Sequence, residues 1–160
     1  MNGYDTNTGL NDIALIKANE PLDLTTKYSY LQPVCLPTAG VASNSSGCMS
    51  AGWGDLEEGG SGPDKLQEVN LPILSTQTCI NIYGDEAFKT TLLCAGSMEG
   101  GIDTCQGDSG GPLFCPLSNN VWVQEGVVST GYGCARPGYP GIYTNVRGFL
   151  PWIKSTTGIV

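Results

Sequence analysis

The sequence predicts an all-β domain, a barrel or a sandwich, and three observations carry that expectation. Its apolar residues fall into short runs rich in Val, Ile and Thr. These runs recur at close spacing between turn-forming residues, and the 160 residues include 23 Gly and 10 Pro. Only 14% of residues are charged while 40% are hydrophobic, which suits one globular unit with a sizeable core. Short β-branched runs between Gly and Pro read as strands and argue against long helices.

Taken in order, residues 1–9 read as a loop. Asn11-Asp12-Ile13-Ala14-Leu15-Ile16-Lys17 reads as a short apolar strand ended by Glu20-Pro21, because proline cannot donate to a ladder. Asp23 to Pro33 is polar and reads as an extended connector. From Val34 onward the strand-like runs include Leu66–Leu71, Leu92–Ala95, Pro112–Phe114, Val121–Ser129 and Gly141–Val146. So many at such spacing fit a barrel or sandwich. Glu57 to Gly62 is a Gly-rich loop. Phe149-Leu150-Pro151-Trp152-Ile153-Lys154 spaces its apolar residues as a helix does, and Pro151 is tolerated there in a first turn. There is no internal repeat and no low-complexity segment.

Charge and cysteine content exclude several function classes. A formal net charge of -8, with seven basic residues, leaves no basic footprint for nucleic acid or anionic lipid. No apolar run is long enough to cross a bilayer, so no membrane contact is expected from this segment. The acidity reads first as ordinary solubility and second as a mild preference for cationic substrates. Seven cysteines fit a secreted, disulfide-stapled domain. They do not fit a zinc site, since there is no Cys-x-x-Cys and no His; no metal or cofactor is expected. Asn44-Ser45-Ser46 is a glycosylation sequon and agrees with secretion. The opening Met1-Asn2-Gly3-Tyr4-Asp5 is polar, so any targeting segment is expected upstream.

The informative stretch is Gly100-Gly101-Ile102-Asp103-Thr104-Cys105-Gln106-Gly107-Asp108-Ser109-Gly110-Gly111-Pro112. A serine among glycines sits in a backbone free to adopt conformations closed to other residues. Such a loop can present a hydroxyl beside amide donors suited to a developing oxyanion. A Gly-x-Ser-Gly turn alone is more often a plain turn; the full string is much harder to dismiss.

This string resembles the nucleophile loop of the chymotrypsin/trypsin family, and the resemblance runs through nearly the whole chain. Asp12-Ile13-Ala14-Leu15 is similar to the family's catalytic-aspartate segment. Cys48 followed by Ala51-Gly52-Trp53-Gly54 resembles the start of its second barrel. Ser129-Thr130-Gly131-Tyr132-Gly133-Cys134 and Pro140-Gly141-Ile142-Tyr143 resemble its pocket walls, and Phe149 to Ile153 its closing helix. The resemblance implies a Greek-key β-barrel fold. Residues 1–22 would be a remnant of the first barrel, 23–33 the inter-barrel connector, 34–146 an essentially complete second barrel, and 147–160 a C-terminal helix and tail.

The same resemblance implies roles. Ser109 would be the nucleophile, the amides of Gly107 and Ser109 the oxyanion hole, and Asp12 the orienter of an imidazole. Asp108 would pair with the α-amino group freed when a zymogen is cleaved. Asp103 would lie at the base of the primary pocket between Gly131 and Gly141, which implies cleavage after Arg or Lys. Ser129, Thr130 and Gly131 would bind substrate backbone as an added strand. The bridges would be Cys48–Cys115, Cys79–Cys94 and Cys105–Cys134, one of fifteen ways to pair six cysteines. Cys35 would be left over, resembling a position that tethers the protease to an upstream segment. Protein or peptide substrates and protease inhibitors would be the partners, in a secreted setting or as the ectodomain of a larger protein.

The sequence departs from the pattern in three places. It contains no histidine, although the mechanism needs an imidazole to take the Ser109 proton. The Ile-Val segment that Asp108 should meet is absent as well. Both are expected upstream of residue 1, making the chain a truncated and inactive fragment. Thr130 stands where the family usually has Trp, which removes an apolar platform beside the pocket. Two rival readings remain. One is a non-catalytic protease homologue serving as a binding module, although the Ser and Asp motifs are intact. The other is a disulfide-rich adhesion sandwich, which leaves the motif order unexplained.

Overall fold

Among the described residues six short strands lie between turn residues: β1 (Met49–Gly52), β2 (Gln67–Asn70), β3 (Leu92–Ala95), β4 (Pro112–Pro116), β5 (Trp122–Thr130) and β6 (Gly141–Asn145). The computed structural model describes residues 3–6 and 8–159. All strand pairings are antiparallel, in the order β2-β1-β4-β5-β6-β3. The chain beyond β2 then returns to β3 at the other edge. Ile73 bridges Ala95, the Leu74 amide donates to the Cys94 carbonyl at 3.0 Å, and the Gly96 amide to the Pro72 carbonyl at 3.0 Å. These bonds join the segment after β2 to β3 at the other edge, so the sheet curls into a barrel. This is the Greek-key barrel that the resemblance implied.

Alternation along the strands builds the core. In β4, Leu113 and Cys115 are buried and their neighbours are not, as a period of two requires. They join Cys48, Leu71, Ala95, Val128 and Tyr143 in one cluster. A second cluster holds Cys79, Phe88, Leu92 and Cys94, and a third holds Val146, Phe149 and Ile153. The three bridges are those the resemblance implied, Cys48–Cys115, Cys79–Cys94 and Cys105–Cys134. Cys35 is free and exposed, although its carbonyl accepts the Gln124 amide of β5 at 3.0 Å.

Four features depart from the sequence expectations. Asn11–Lys17 is not a strand. A strand needs a ladder partner, and no described segment supplies one here. The connector at 23–33 is not extended but wound into turns. Asp23 accepts from Thr25 and Thr26 and its carbonyl takes the Tyr28 amide at 2.8 Å, the competing hydrogen bonds that Asp offers a backbone.

The third difference is a helix not anticipated, α1 (Thr76–Tyr83), between a Ser75 cap that accepts from the Thr78 amide at 3.1 Å and a left-handed Gly84. The last concerns α2 (Val146–Thr157), which begins earlier than expected and puts Pro151 in the helix interior. A proline there costs about 3 kcal/mol. Burial of Val146, Phe149 and Ile153 offsets it, each such side chain contributing roughly 1.5–3 kcal/mol.

Candidate active site

The Ser109 loop lies between β3 and β4 and is pinned to β5 just after the serine. The Gly110 amide donates to the Val128 carbonyl at 2.9 Å, and the Val128 amide to the Gly111 carbonyl at 2.9 Å. Inside the loop, the Asp108 amide donates to Cys105 at 3.0 Å and the Gly111 amide to Asp108 at 2.8 Å. This tight winding leaves Ser109 exposed. Gly107 has φ +96°, a conformation that side-chain-bearing residues rarely adopt. Among the described residues, no backbone carbonyl takes the Gly107 or Ser109 amide. Both are thus available to a ligand oxygen.

Asp108 points away from this mouth. Its Oδ1 accepts the Gly54 amide at 2.9 Å and its Oδ2 the Cys105 amide at 3.0 Å. A Cβ at either Gly52 or Gly54 would collide with that carboxylate, which explains the two glycines around Trp53. Asp108 lines a cavity of about 340 Å³ together with Leu56, Glu58 and Asp103.

Asp12 meets β5 and β6 from the other end of the chain. Its Oδ2 accepts the Ser129 hydroxyl at 2.8 Å, and its carbonyl accepts the Thr144 hydroxyl at 2.7 Å. Ser129 lines a cavity of about 150 Å³ that Ser109 also lines. Ser129 thus stands between Asp12, which it bonds, and the cavity that Ser109 lines.

That smaller cavity is also lined by Asp103, Thr130, Gly131 and Gly141. Asp103 accepts the Thr104 amide at 2.8 Å and the Ala135 amide at 3.1 Å. Burial pushes its carboxyl above the ordinary range, with Asp108 adding a smaller repulsion, while the two amides pull it back. A carboxylate in this condition gains from a cationic partner. A Cβ on Gly141 would lie 2.8 Å from Asp103 Oδ1, so glycine there keeps the acid accessible. One contact beside this lining was not anticipated from the sequence. Thr104 Oγ1 lies 3.0 Å from the hydroxyl of the fully buried Tyr143, and no local motif signals a contact between residues so far apart.

Two further features frame the site. Arg136 clamps Glu58 through Nε at 2.8 Å and Nη2 at 2.5 Å, and Glu58 also accepts the Cys134 amide at 3.3 Å. Asn44 lies outside the site, exposed, with its Oδ1 accepting the Ser46 amide at 3.2 Å. Among the described residues, no group of three or more His, Cys, Asp or Glu is placed to hold a metal.

A curled antiparallel barrel whose loop sets an exposed serine beside an acid-lined pocket defines the class of trypsin-like serine proteases. Residues 1–153 match the Trypsin family, and the chain belongs to that family. It is 43% identical to Trypsin-1 of Astacus astacus over 145 residues, 91% of this chain and 59% of the relative. It is 47% identical to Trypsin-2 of Salmo salar over 146 residues, 91% of this chain and 59% of the relative. Similarity extends to Transmembrane protease serine 9 of Rattus norvegicus, 42% identical over 142 residues, 89% of this chain but 13% of that protein. The chain spans about three fifths of the length of the trypsins it matches.

Proposed function

We propose that this chain carries the nucleophile and specificity pocket of a serine endopeptidase that cleaves after Arg or Lys. The observation that carries the reading is one cavity lined both by the exposed Ser109 and by the half-buried Asp103. A buried carboxylate without a cation is costly, by several kcal/mol. Apolar side chains are therefore rejected, a bidentate arginine satisfies the acid best, and lysine follows.

In the mechanism, Ser109 Oγ attacks the scissile carbonyl and gives its proton to an imidazole. The carbonyl oxygen gathers charge against the Gly107 and Ser109 amides. The tetrahedral intermediate collapses as the imidazole protonates the leaving amine, and water then cleaves the acyl-enzyme by the reverse roles. Asp12, steadied by the Ser129 hydroxyl, orients the imidazole and stabilises its charged form. These 160 residues contain no histidine, so the imidazole comes from outside them and the residues alone are inactive. Asp108 pairs with an α-amino group freed on zymogen cleavage, a role its amide-bonded carboxylate beside a cavity supports. Ser129, Thr130 and Gly131 hold the substrate backbone. Secretion, or an extracellular part of an anchored protein, suits the three bridges. Cys35 tethers an upstream segment, Asn44 carries a glycan, and protease inhibitors are further partners.

The test is a peptide-library profile of the activated whole protein against its Asp103→Ser variant. We expect arginine then lysine at the cleaved position, and loss of that selectivity in the variant. Selectivity for arginine over leucine should also fall on acidification. The fall should begin at a pH above the usual aspartate range, because burial raises the Asp103 pKa and a protonated acid attracts no cation. A preference for Phe or Leu, or unchanged selectivity in Asp103→Ser, would refute the reading.

A further inference from the structure

A cavity of about 280 Å³, apart from Ser109 and Asp103, lies between α1, β3 and the loop at residues 42–45. Ile73, Leu74, Phe88, Leu92 and Leu93 supply its apolar lining, and Ser43, Ser45 and Thr76 add hydroxyls. Glu125 and Arg147 line it as well. The Glu125 side chain is 4% exposed, and its two oxygens accept from Arg147 Nη2 at 2.6 Å and Nε at 2.7 Å. A carboxylate offers about four lone-pair sites, so half of its accepting capacity remains. Arg147 also donates to the Thr38 and Val41 carbonyls at 2.8 Å, which commits all but one of its N–H donors.

The polar end of this cavity thus accepts more than it donates, and the guanidinium cancels the charge of the acid beside it. An anion would meet too few donors there. An ammonium would lose its hydration without gaining an unpaired acid. A neutral hydroxyl fits. The volume lies at the small end of ligand sites, which run from about 300 to 1,000 Å³, and one ring suits it. Tyr83 stacks on Phe88 at 5.6 Å and 22° but does not line this cavity. Phe88 therefore meets a ligand here with another part of its ring, and a flat ring gains from such offset or edge contact where a saturated one does not.

Phe88 and Leu92, 3% and 5% exposed, also line a separate cavity that meets Asp12, Asp85, Ser129 and Thr130. These two side chains are a partition between the cavities. The partition continues toward the pocket wall, since Tyr83 stacks on Tyr132 at 5.9 Å and 15° and its hydroxyl donates to the Pro140 carbonyl. Close-packed side chains pass a displacement on rather than absorb it.

We infer that the cavity lined by Glu125 and Phe88 is an effector site for a small neutral aromatic alcohol or phenol, felt in the substrate groove through Phe88. The effector role rests on the assignment of Ser109 and Asp103 above; the ligand chemistry does not.

The experiment uses the activated whole protein with 4-methylphenol as probe. Methyl nuclear magnetic resonance at Ile73, Leu92 and Leu93 reads binding, and cleavage of an arginyl peptide reads the effect. We expect saturable shifts at those methyls. Binding should be about three- to tenfold weaker for 4-methylanisole, which lacks the donor, and for 4-methylcyclohexanol, which lacks the aromatic ring. KM should move by about fivefold to a plateau with kcat unchanged, whereas a competitor for the Asp103 pocket would raise KM without limit. Ala42→Trp and Thr76→Trp, both at exposed positions lining the cavity, should abolish the shifts and the plateau while leaving KM without probe unchanged. No cleavage of any arginyl peptide would sink the catalytic reading and the effector role with it. Cleavage with no shift at those methyls, tighter binding there of 4-methylbenzylamine, or a KM that does not move on binding would overturn this inference alone.

Discussion

Residues 3–43 and residues 45–157 have similar apolar runs and opposite fates. The later region contains every helix and strand described, three bridges and nearly all the buried side chains. The earlier one contributes turns and a single bridge at Cys35, and exposes Leu15 at 41%, Ile16 at 97%, Leu22 at 61% and Tyr30 at 78%. Yet it is not loosely attached. Ile13 and Leu36 pack against the Phe149 cluster, Leu10 against the Phe88 cluster, and Asp12 bonds Ser129 and Thr144. The difference is a matter of partners. An apolar run becomes a strand only where another strand meets its hydrogen-bonding groups and a second layer covers its face.

The largest expected effect follows from what the earlier region lacks. Asp12 is positioned, but there is no imidazole for it to orient. In a convergent triad, loss of the histidine costs roughly 10⁶ in kcat, about 8 kcal/mol of barrier. We expect the purified 160 residues to show no turnover of an arginyl amide and no labelling by an active-site phosphonate. The exposed Leu15, Ile16 and Leu22 should also make them self-associate. Labelling at rates normal for the family, or a monodisperse monomer, would break the contrast between the regions.

What was legible in the sequence divides along similar lines. Most strands of the barrel were legible because turn residues set off short apolar runs, as in Leu92–Ala95, which Gly96 ends and which was read and found with the same bounds. The loop around Ser109 was legible because its chemistry is contiguous. Asn11–Lys17 carried the same local pattern but formed no strand, since pairing is not a local property. Helix α1 escaped notice because its eight residues are half polar, although Ser75 and Gly84 mark both ends as caps. Pro151 misled because local rules cannot weigh the tertiary burial of Phe149 and Ile153. The Asp12–Ser129 bond joins residues 117 positions apart, and no spacing rule reaches that far.

A second prediction sharpens how the two regions are joined. Glu125 on β5 is buried and accepts from Arg147 Nη2 at 2.6 Å and Nε at 2.7 Å. The same guanidinium donates to the Thr38 and Val41 carbonyls at 2.8 Å. One arginine therefore ties residues 38–41 to the barrel. Glu125→Ala leaves that arginine without its acid, and such a loss costs about 3 kcal/mol or more. Chemical denaturation should register it, and hydrogen exchange should rise at residues 38–41 before it rises in β5. Uniform loss of protection would show that the stitch is not local.

The Cys79–Cys94 bridge allows a comparison inside the later region. It closes a loop of 15 residues between α1 and β3, for which chain entropy gives about 3 kcal/mol. A Cys79→Ala, Cys94→Ala protein should lose that much stability or somewhat less, since α1 retains its packing through Ile80 and Tyr83. The ring stack should loosen with it, because Tyr83 sits at the end of α1. Near-ultraviolet circular dichroism reports on those tyrosines, and an unchanged spectrum would show that the stack is held by Pro140 and Tyr132 rather than by the bridge.

The smallest effect is expected at Glu58 and Arg136, whose geometry is as good as that of Glu125 and Arg147 but whose side chains are 41% and 56% exposed. Water screens such a pair, so its net contribution is slight despite two short bonds. Its signature is pH dependence. Hydrogen bonding to Arg136, with help from the Cys134 amide, holds the Glu58 carboxyl below its ordinary value of 4.5. A depressed carboxylate stabilises the fold above the unfolded-state pKa, and that contribution fades as pH falls through the lowered folded value. Thermal midpoints of the parent and of Glu58→Gln should therefore differ a little at neutral pH and low salt, and converge both in acid and at high salt. A gap that persists in acid or in salt would mean that Glu58 acts by packing against Gly133 rather than through charge.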